Sequence, residues 1–458
     1  MTSTPFIPFL LSLLLTIQSP AQGLPRTTAD RSVQGPLARG AIQGSPQDPA
    51  REPSRQPSHS YALTGVTLID ARHDAPQQNQ TVLITDGMIA DVFPDGAKSL
   101  PDSIPLIRMH GKFLLPGLID THVHFATDPS GTDNRVATLD ALQRMLRSGI
   151  TAVRDMAGDA RILAGLSRDA QIGDIPAPDI YYSALMAGPA FFDDPRTTTS
   201  SKGGAAGRMP YMKAVTDTTD LPLAIAEAKG TGAKGIKLYA ELGPALVTRI
   251  VAEAGRQGLL VWGHAWLDPA KPADLVRAGI GSISHSPLLL HQSMDSVPRR
   301  WRSVRDQKFW EDSLPDLSAL FSLMKKNNTL LDATMSAYHQ WARQDTSKAC
   351  YYLITKVYTA AAHRAGVKVC AGTDDDQQSF VQGEMELLVH DAGFSAKDAI
   401  IAATNYAAEA LGIDGKCGTI EKGKTADLLL VNSNPLERIE NIRTVVLVIK
   451  SGKLYWDQ

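Results

Sequence analysis

Residues Phe113 to His124 have the sequence FLLPGLIDTHVH, and this stretch decides the fold class. A nearly unbroken apolar run is typical of a parallel strand buried on both faces, and here two histidines lie at its carboxyl end. Similar runs follow, separated by stretches with helical periodicity such as Thr138–Leu146, Pro244–Arg256, Pro269–Ala278 and Gln382–Ala392. This alternation indicates repeated parallel βα units.

Eight such units are present. We predict their strands at Phe113–His124, Gly149–Met156, Ile180–Ala187, Gly235–Tyr239, Leu259–His264, Gly281–His285, Thr329–Met335 and Val367–Asp374. Eight units over about 300 residues indicate an α/β fold, a (β/α)8 barrel of the TIM type at residues 113–412. A doubly wound open sheet is the alternative, but no GxGxxG motif follows the first strand.

Strand-like runs also lie at both ends of the chain. They are Tyr61–Asp70, Thr81–Pro94, Gly418–Ile420, Ala426–Val431 and Thr444–Trp456. We predict a small β-sandwich domain built from residues 61–112 and 413–458. Within the barrel, the connections Gly188–Asp220 and Ser286–Asp316 are longer than the scaffold needs, and we expect both at the carboxyl-terminal face, where sites are built.

The first 60 residues match neither domain. The apolar run Phe6–Ile17 precedes Ser19-Pro20-Ala21, a pattern typical of a signal peptide, which we place at residues 1–21. This run is shorter than the roughly 20 residues of a membrane-spanning helix. Residues 22–60 are rich in Pro, Gln, Ser and Gly and predict a disordered linker. We therefore expect an exported protein, periplasmic or extracellular, without a stable membrane span.

The overall composition narrows the class of partner. The chain of 458 residues has 46 Lys and Arg against 48 Asp and Glu, a net charge of −2, so it lacks the positive surface that nucleic-acid binding requires. Three cysteines without a CxxC pair do not form a disulfide framework. We expect a small-molecule partner and no nucleic acid.

Histidines and one aspartate mark the ends of four predicted strands. His122 and His124 end the first strand, His264 the fifth and His285 the sixth, and Asp374 ends the eighth. Residues two apart on a strand point to the same side, so all five side chains can reach one barrel mouth. Imidazole groups that converge in this way suit a divalent cation such as zinc.

Lys237 lies in the fourth predicted strand and points the same way as Gly235 and Tyr239. A buried lysine must be neutral, paired or chemically changed, and a neutral amine can add carbon dioxide to form a carbamate that bridges two cations. His122 and His124 would then hold one metal ion, and His264 and His285 the other. A single metal with a structural lysine stays open, as does a role for Tyr239 in barrel packing or in substrate binding.

Several motifs in combination resemble one family. They are Gly117-Leu-Ile-Asp-Thr-His-Val-His124, Gly149-Ile-Thr-Ala-Val-Arg-Asp155, Gly235 to Tyr239, Trp262-Gly-His-Ala265, Ser284-His285, Ala371-Gly-Thr-Asp374, Ala402 to Ala408 and Gly418 to Leu428. The chain resembles the metal-dependent amidohydrolase superfamily, and within it the imidazolonepropionase-like and Xaa-Pro or Xaa-Arg dipeptidase-like branch. The resemblance extends over about Tyr61 to Tyr455.

The resemblance implies a metal-dependent hydrolase acting on carbon-nitrogen bonds. It implies the metal ligands His122, His124, Lys237, His264, His285 and Asp374, two divalent ions bridged by carbamylated Lys237, and Asp374 as the catalytic acid-base residue. Many relatives carry an acidic residue where this chain has Ser284.

We expect a metal-activated hydroxide to attack an amide carbon, with a dipeptide or N-acyl amino acid as substrate and Tyr239 as a substrate contact. The four arginines Arg299, Arg300, Arg302 and Arg305 are candidates for pairing with a substrate carboxylate. A cyclic amide or amidine hydrolase, or a deaminase, is the first alternative. A non-catalytic binding protein on the same fold is the second.

Overall fold

A computed structural model of the protein describes residues 60–126, 135–374 and 380–456. The predicted signal peptide and all but Ser60 of the predicted linker lie outside these residues. Within the described ranges, no helix has both the length and the apolar character needed to cross a membrane.

The described chain contains strands, helices and short 3-10 turns. The strands are β1 Ser60–Leu68, β2 Gln77–Thr85, β3 Met88–Pro94, β4 Leu106–Arg108, β5 Phe113–Pro116, β6 Leu118–Val123, β7 Ile150–Asp155, β8 Asp179–Ala187, β9 Arg208–Met209, β10 Met212–Ala214, β11 Gly235–Leu238, β12 Leu260–His264, β13 Ser282–Ser284, β14 Leu330–Asp332, β15 Val369–Cys370, β16 Leu428–Val431, β17 Val445–Lys450 and β18 Lys453–Trp456. The helices are α1 Arg135–Arg147, α2 Ala160–Gln171, α3 Pro195–Thr199, α4 Leu221–Gly230, α5 Pro244–Gln257, α6 Pro272–Ala278, α7 Gln307–Ser313, α8 Ser318–Asn327, α9 Met335–Gln344, α10 Ala349–Arg364, α11 Phe380–Ala392, α12 Ala396–Ala402 and α13 Asn405–Leu411. The 3-10 turns are Pro189–Asp193, Ser286–Gln292, Arg299–Trp301, Thr346–Lys348 and Ile439–Arg443.

Eight parallel strands form the barrel in the order β6, β7, β8, β11, β12, β13, β14 and β15. Two backbone hydrogen bonds join the first strand to the chain after the last. Thr121 N donates to Ala371 O at 3.0 Å, and Asp374 N donates to His122 O at 2.8 Å. The closure places the ends of β6 and β15 side by side, and the predicted (β/α)8 barrel is confirmed.

Helix α5 illustrates why the intervening segments become helices. Pro244 stands at its first turn, where a missing N–H costs nothing, and Gly258 ends it in the left-handed conformation at φ 77°. Between them Leu246, Val247 and Ile250 recur at helical spacing and are buried against the barrel core. Burial of this apolar stripe positions the helix against β12, the strand that follows it.

The terminal strands form a separate mixed sheet of eight strands. Its order is β18, β17, β16, β5, β1, β2 and β3, with β4 beside β1. The sheet curves until the β2–β3 turn meets the chain before β16, where Ala426 N donates to Gly87 O at 2.8 Å. Leu63, Val82 and Leu447, from both ends of the chain, share one apolar core. The predicted β structure built from both termini is confirmed, in the form of one mixed sheet.

Two predicted segments differ from the observed elements. The predicted strand Phe113–His124 is divided, because Phe113–Pro116 pairs with β16 in the terminal sheet and only Leu118–Val123 enters the barrel. The division falls at Gly117, where an added Cβ would meet the Thr151 side chain. Gly418–Ile420 does not form a strand among the described residues, although it lies beside the terminal core.

The first long connection, Gly188–Asp220, folds across the carboxyl-terminal face of the barrel. Near its start, Phe191 N donates to Glu241 Oε2 at 3.2 Å, which ties it to the chain after β11. Further on, Ser200 Oγ donates to Ala126 O at 3.5 Å, beyond the end of β6. The connection therefore reaches from one side of the barrel mouth to the other.

The second long connection, Ser286–Asp316, packs around the buried Trp310. The ring of Trp310 meets the Trp301 ring edge to face, with centroids 6.0 Å apart. Arg305 Nη2 donates to Thr346 O at 2.6 Å, just before α10. These contacts direct this connection toward the α9–α10 side of the barrel.

Candidate metal centre

The carboxyl ends of the barrel strands bring the predicted ligands to one rim. His122 lies in β6 and His124 just beyond it, Lys237 lies in β11, His264 ends β12, His285 follows β13 and Asp374 follows β15. His122 Nε2 and His124 Nε2 lie 3.6 and 3.3 Å from Asp374 Oδ1. His285 Nδ1 lies 3.8 Å from Asp374 Oδ2. Three histidines from two strands thus surround one carboxylate.

The hydrogen bonds of the first two histidines fix which ring nitrogen carries the proton. His124 Nδ1 lies 3.2 Å from Ala157 O, and because a carbonyl only accepts, Nδ1 donates. His122 Nδ1 lies 2.8 Å from Asp332 Oδ2, which accepts in the same way. In the neutral form of each ring Nδ1 then holds the proton and Nε2 keeps a lone pair, which is the form of imidazole that binds a metal.

A hydroxyl group determines which ring nitrogen of His285 carries the proton. Thr334 Oγ1 donates to Ala333 O at 2.8 Å, so its oxygen accepts the Nδ1 proton of His285 at 3.0 Å. Burial lowers the pKa of His285 to about 4, which keeps the ring neutral at physiological pH. Its Nε2 is then also a lone-pair donor.

These side chains fit a divalent cation. The ligand atoms of His122, His124 and Asp374 lie within 4.8 Å of one another. Two imidazole nitrogens and one carboxylate oxygen are a donor set that suits zinc and similar divalent cations. Side-chain exposure is 1% for His122 but 23% for His124 and 17% for Asp374, so the cluster opens toward the barrel mouth.

His264 extends the cluster on the other side of His285. The two ring centroids are 4.5 Å apart, and the Tyr239 ring lies 3.9 Å from His264. Burial, with Lys237 nearby, lowers the pKa of His264 well below its ordinary value, so this ring is neutral as well. The arrangement offers a second pair of nitrogens next to the first.

Lys237 is fully buried between these groups. Its hydrogen-bond partner within the described chain is the Ser284 hydroxyl, at the long distance of 3.5 Å. Burial lowers the pKa of Lys237 to about 7, so a large fraction of the amine is neutral near physiological pH. A neutral, weakly bound amine is the form that reacts with carbon dioxide, and the residue therefore suits carbamylation.

Sequence reasoning missed Asp332, which organises the centre from behind. This fully buried carboxylate ends β14 and accepts hydrogen bonds from His122 Nδ1 at 2.8 Å, Ser284 Oγ at 3.0 Å and Arg154 Nη2 at 3.2 Å. The available signal was its position in the predicted strand Thr329–Met335, where an acidic residue interrupts an apolar run. Arg154 reaches this carboxylate from β7 on the other side of the barrel.

The Tyr239 hydroxyl lies where the first long connection meets the cluster. Arg196 Nη2 lies 3.4 Å from the Tyr239 hydroxyl, and because a guanidinium only donates, the tyrosine oxygen accepts there. The hydroxyl proton of Tyr239 then remains available for another acceptor. The Phe191 ring packs on the Tyr239 ring, with the two centroids 4.3 Å apart.

Comparison with known proteins agrees with this geometry. Residues 113–455 match the amidohydrolase family over most of the chain. The chain belongs to the amidohydrolase family. The match begins with β5 and ends within β18, so it includes the whole described barrel and the returning strands of the terminal domain.

Three comparisons with individual relatives give between 22% and 26% identity to this amidohydrolase. Ochratoxinase from Aspergillus niger is 26% identical over 439 residues, which cover 83% of each chain. The crystal structure of that ochratoxinase superimposes with a TM-score of 0.70 at 22% identity, covering 88% of this chain and 97% of the other. A crystal structure of a Xaa-Pro dipeptidase with bound methionine gives a TM-score of 0.70 at 24% identity, covering 87% and 100%. The family and the fold indicate a hydrolase of carbon-nitrogen bonds that acts on a small-molecule amide.

Proposed function

We propose that the protein is a metal-dependent amidohydrolase that cleaves the amide bond of a dipeptide or an N-acyl amino acid. The observation that carries this proposal is the convergence of His122 Nε2 and His124 Nε2 on Asp374 Oδ1, at 3.6 and 3.3 Å. The names of two relatives, ochratoxinase and Xaa-Pro dipeptidase, support an amide substrate.

We propose two divalent ions, with zinc as the metal, bridged by carbamylated Lys237. His122 and His124 would hold one ion, and His264 and His285 the other, with Asp374 as a ligand of one of them. The buried, weakly hydrogen-bonded amine of Lys237 supports this assignment. Bound there, the ions would lower the pKa of a water and polarise the substrate carbonyl.

The chain's own residues would supply the proton transfer and the oxyanion contact. The Asp374 carboxylate would accept the proton of the attacking water and return it to the leaving nitrogen, a role commonly worth about 10² to 10⁴ in rate. Tyr239 would donate its hydroxyl proton to the developing oxyanion, because its oxygen already accepts from Arg196. The aromatic contacts of Phe191 and Tyr239 would limit the entry of other water molecules.

We further propose that the protein is exported to the periplasm or the extracellular space. The apolar run Phe6–Ile17, followed by small residues near Ala21, supports this proposal. N-terminal sequencing of the protein secreted by its natural host tests it. A mature chain that begins close to Gln22 is expected, and an intact Met1 in the purified protein would contradict export by this route.

The activity is tested on protein purified with zinc and bicarbonate. We expect close to two metal ions per chain and release of an amino acid from members of a dipeptide and N-acyl amino acid panel. Lys237→Met should lose at least one ion and reduce kcat/KM by about 100-fold or more. Lys234→Met, three residues away, is the matched control and should behave like the wild type.

Other results would redirect or end the proposal. A stoichiometry of one ion in both wild type and Lys237→Met would make the lysine structural. Ammonia without amino-acid release would indicate a deaminase. No turnover of any substrate by metal-loaded protein would leave a binding protein and refute the hydrolase.

A further inference from the structure

The first long connection presents a charged side chain, Arg196, to the candidate metal centre. We propose that Arg196 binds the free carboxylate of the substrate and so selects dipeptides and N-acyl amino acids over uncharged amides. This inference rests on the proposed amide hydrolysis and names the residue that recognises its substrate class.

One edge of the Arg196 guanidinium is already occupied. Nε lies 3.0 Å from Asp194 Oδ1 and Nη2 lies 2.6 Å from Asp194 Oδ2, so the carboxylate binds the side-on edge in a bidentate manner. Asp194 also accepts from Arg196 N at 2.9 Å, which fixes it against the backbone. The ion pair holds the planar guanidinium in one orientation.

The other edge, formed by Nη1 and Nη2, is occupied at Nη2 and open at Nη1. Nη2 lies 3.4 Å from the Tyr239 hydroxyl, and the Tyr239 ring lies 3.9 Å from the His264 ring. Within the described part of the chain, Nη1 has no hydrogen-bond acceptor. The Arg196 side chain is 35% exposed, so part of it is accessible to a ligand.

A carboxylate is the ligand that suits Nη1. Its N–H groups can donate to a carboxylate oxygen, and the contact combines the guanidinium charge with a fixed geometry. The first long connection is anchored close to Arg196, because Phe191 N donates to Glu241 Oε2 and the Phe191 ring packs on Tyr239. The substrate would thus be oriented between Arg196 and the metal ligands.

Two of the four arginines of the second connection, Arg302 and Arg305, are directed elsewhere. Arg302 Nε donates to Val297 O at 3.3 Å, and Arg305 Nη1 and Nη2 donate to Arg302 O and Thr346 O. These donors hold their own loop against the α10 side. Arg196 therefore replaces them as the candidate for carboxylate binding.

The test compares one substrate in two charge states. The best-cleaved dipeptide or N-acyl amino acid of the panel and its C-terminal primary amide are assayed with metal-loaded wild type, Arg196→Met and Arg196→Lys. We expect Arg196→Met to lose roughly 10- to 100-fold in kcat/KM for the carboxylate, mainly through KM. The C-terminal amide should lose at least about tenfold less, because only the contact of Arg196 with Tyr239 is removed there, and Arg196→Lys should fall between, because it keeps the charge without the fork.

Arg208→Met is the matched control, because Arg208 is an exposed arginine of the same connection. It should retain the wild-type preference, and circular dichroism spectra should match for all variants. Equal losses on both substrates would show that Arg196 acts only by orienting Tyr239 and would overturn the proposal, as would an unchanged carboxylate preference. If wild type cleaves neither substrate with two ions bound, the hydrolase proposal itself fails.

Discussion

At the scale of single residues, the centre depends on groups that hold the histidines rather than on the histidines alone. Asp332 fixes the Nδ1 proton of His122 and neutralises Arg154 inside the barrel. Thr334 fixes the Nδ1 proton of His285. Such partners set the tautomer and the ring orientation, so the metal affinity is controlled from positions that do not touch the metal.

Replacement of Asp332 tests this control. We expect Asp332→Asn to weaken zinc binding by about 10- to 100-fold, because His122 loses an anionic acceptor at Nδ1. Competition against a chromophoric chelator measures the affinity. Asp316→Asn, at an exposed carboxylate, is the control and should not change it. An unchanged zinc affinity in Asp332→Asn would contradict the assigned role.

At the scale of elements, the closure between β6 and β15 determines the site. Asp120 accepts from His122 N and Thr373 N, both at 3.0 Å, and so joins the ends of the first and last strands. Burial raises the pKa of Asp120 to about 7, against the effect of these hydrogen bonds. The short strand β15 thereby places Asp374 opposite the histidines.

Gly372 is the point at which this closure is tightest. A Cβ there would lie against Asp332 Oδ1, 2.6 Å from Thr121 Oγ1 and 2.8 Å from His122 Cβ. We expect Gly372→Ala to lower the free energy of unfolding by about 2 kcal/mol and to reduce zinc binding, because the neighbours must move. Urea unfolding and chelator competition measure the two effects.

The control is Gly255→Ala in helix α5, where an added Cβ meets nothing within 4 Å. There the substitution should stabilise the protein by roughly 0.5 to 1 kcal/mol, through the higher helix propensity of alanine. Equal effects of the two substitutions would disprove the steric argument.

At the scale of the whole molecule, a buried ion pair joins the terminal sheet to the barrel. Lys450 ends β17, and its Nζ lies 3.0 Å from Asp179 Oδ2 and 3.2 Å from Asp427 Oδ1. Asp179 starts the barrel strand β8, whereas Asp427 precedes β16. Burial acts to lower the pKa of Lys450, but the two carboxylates outweigh it and raise the pKa above its ordinary value.

Removal of this lysine should destabilise the fold. Lys450→Met leaves Asp427 buried without its cation, and we expect a loss of about 3 kcal/mol in the free energy of unfolding. Since the folded pKa is raised, the contribution of Lys450 is complete below the unfolded pKa of about 10.4 and disappears as the pH rises further. The difference between wild type and variant should therefore shrink in strongly alkaline urea titrations.

Lys416→Met, at an exposed lysine of the same terminal region, is the control and should change stability by less than about 0.5 kcal/mol. A wild-type advantage over Lys450→Met that grows with alkaline pH would contradict the sign of the raised pKa.

The sequence by itself determined the alternation of strands and helices, the terminal domain and the polar residues at strand ends. These features are local, because periodicity and apolar runs are properties of neighbouring residues. The division of Phe113–His124 at Gly117 escaped prediction, since two consecutive strands form one apolar run.

Only the tertiary structure decided which side chains form hydrogen bonds with each predicted metal ligand. The contacts of Asp332 with His122 and Arg154 join strands more than 170 positions apart. They depend on barrel register, and the reach of Arg196 to Tyr239 depends on how a long loop folds. Neither leaves a periodic pattern in the chain, because such contacts arise from packing between distant segments rather than from the order of neighbouring residues.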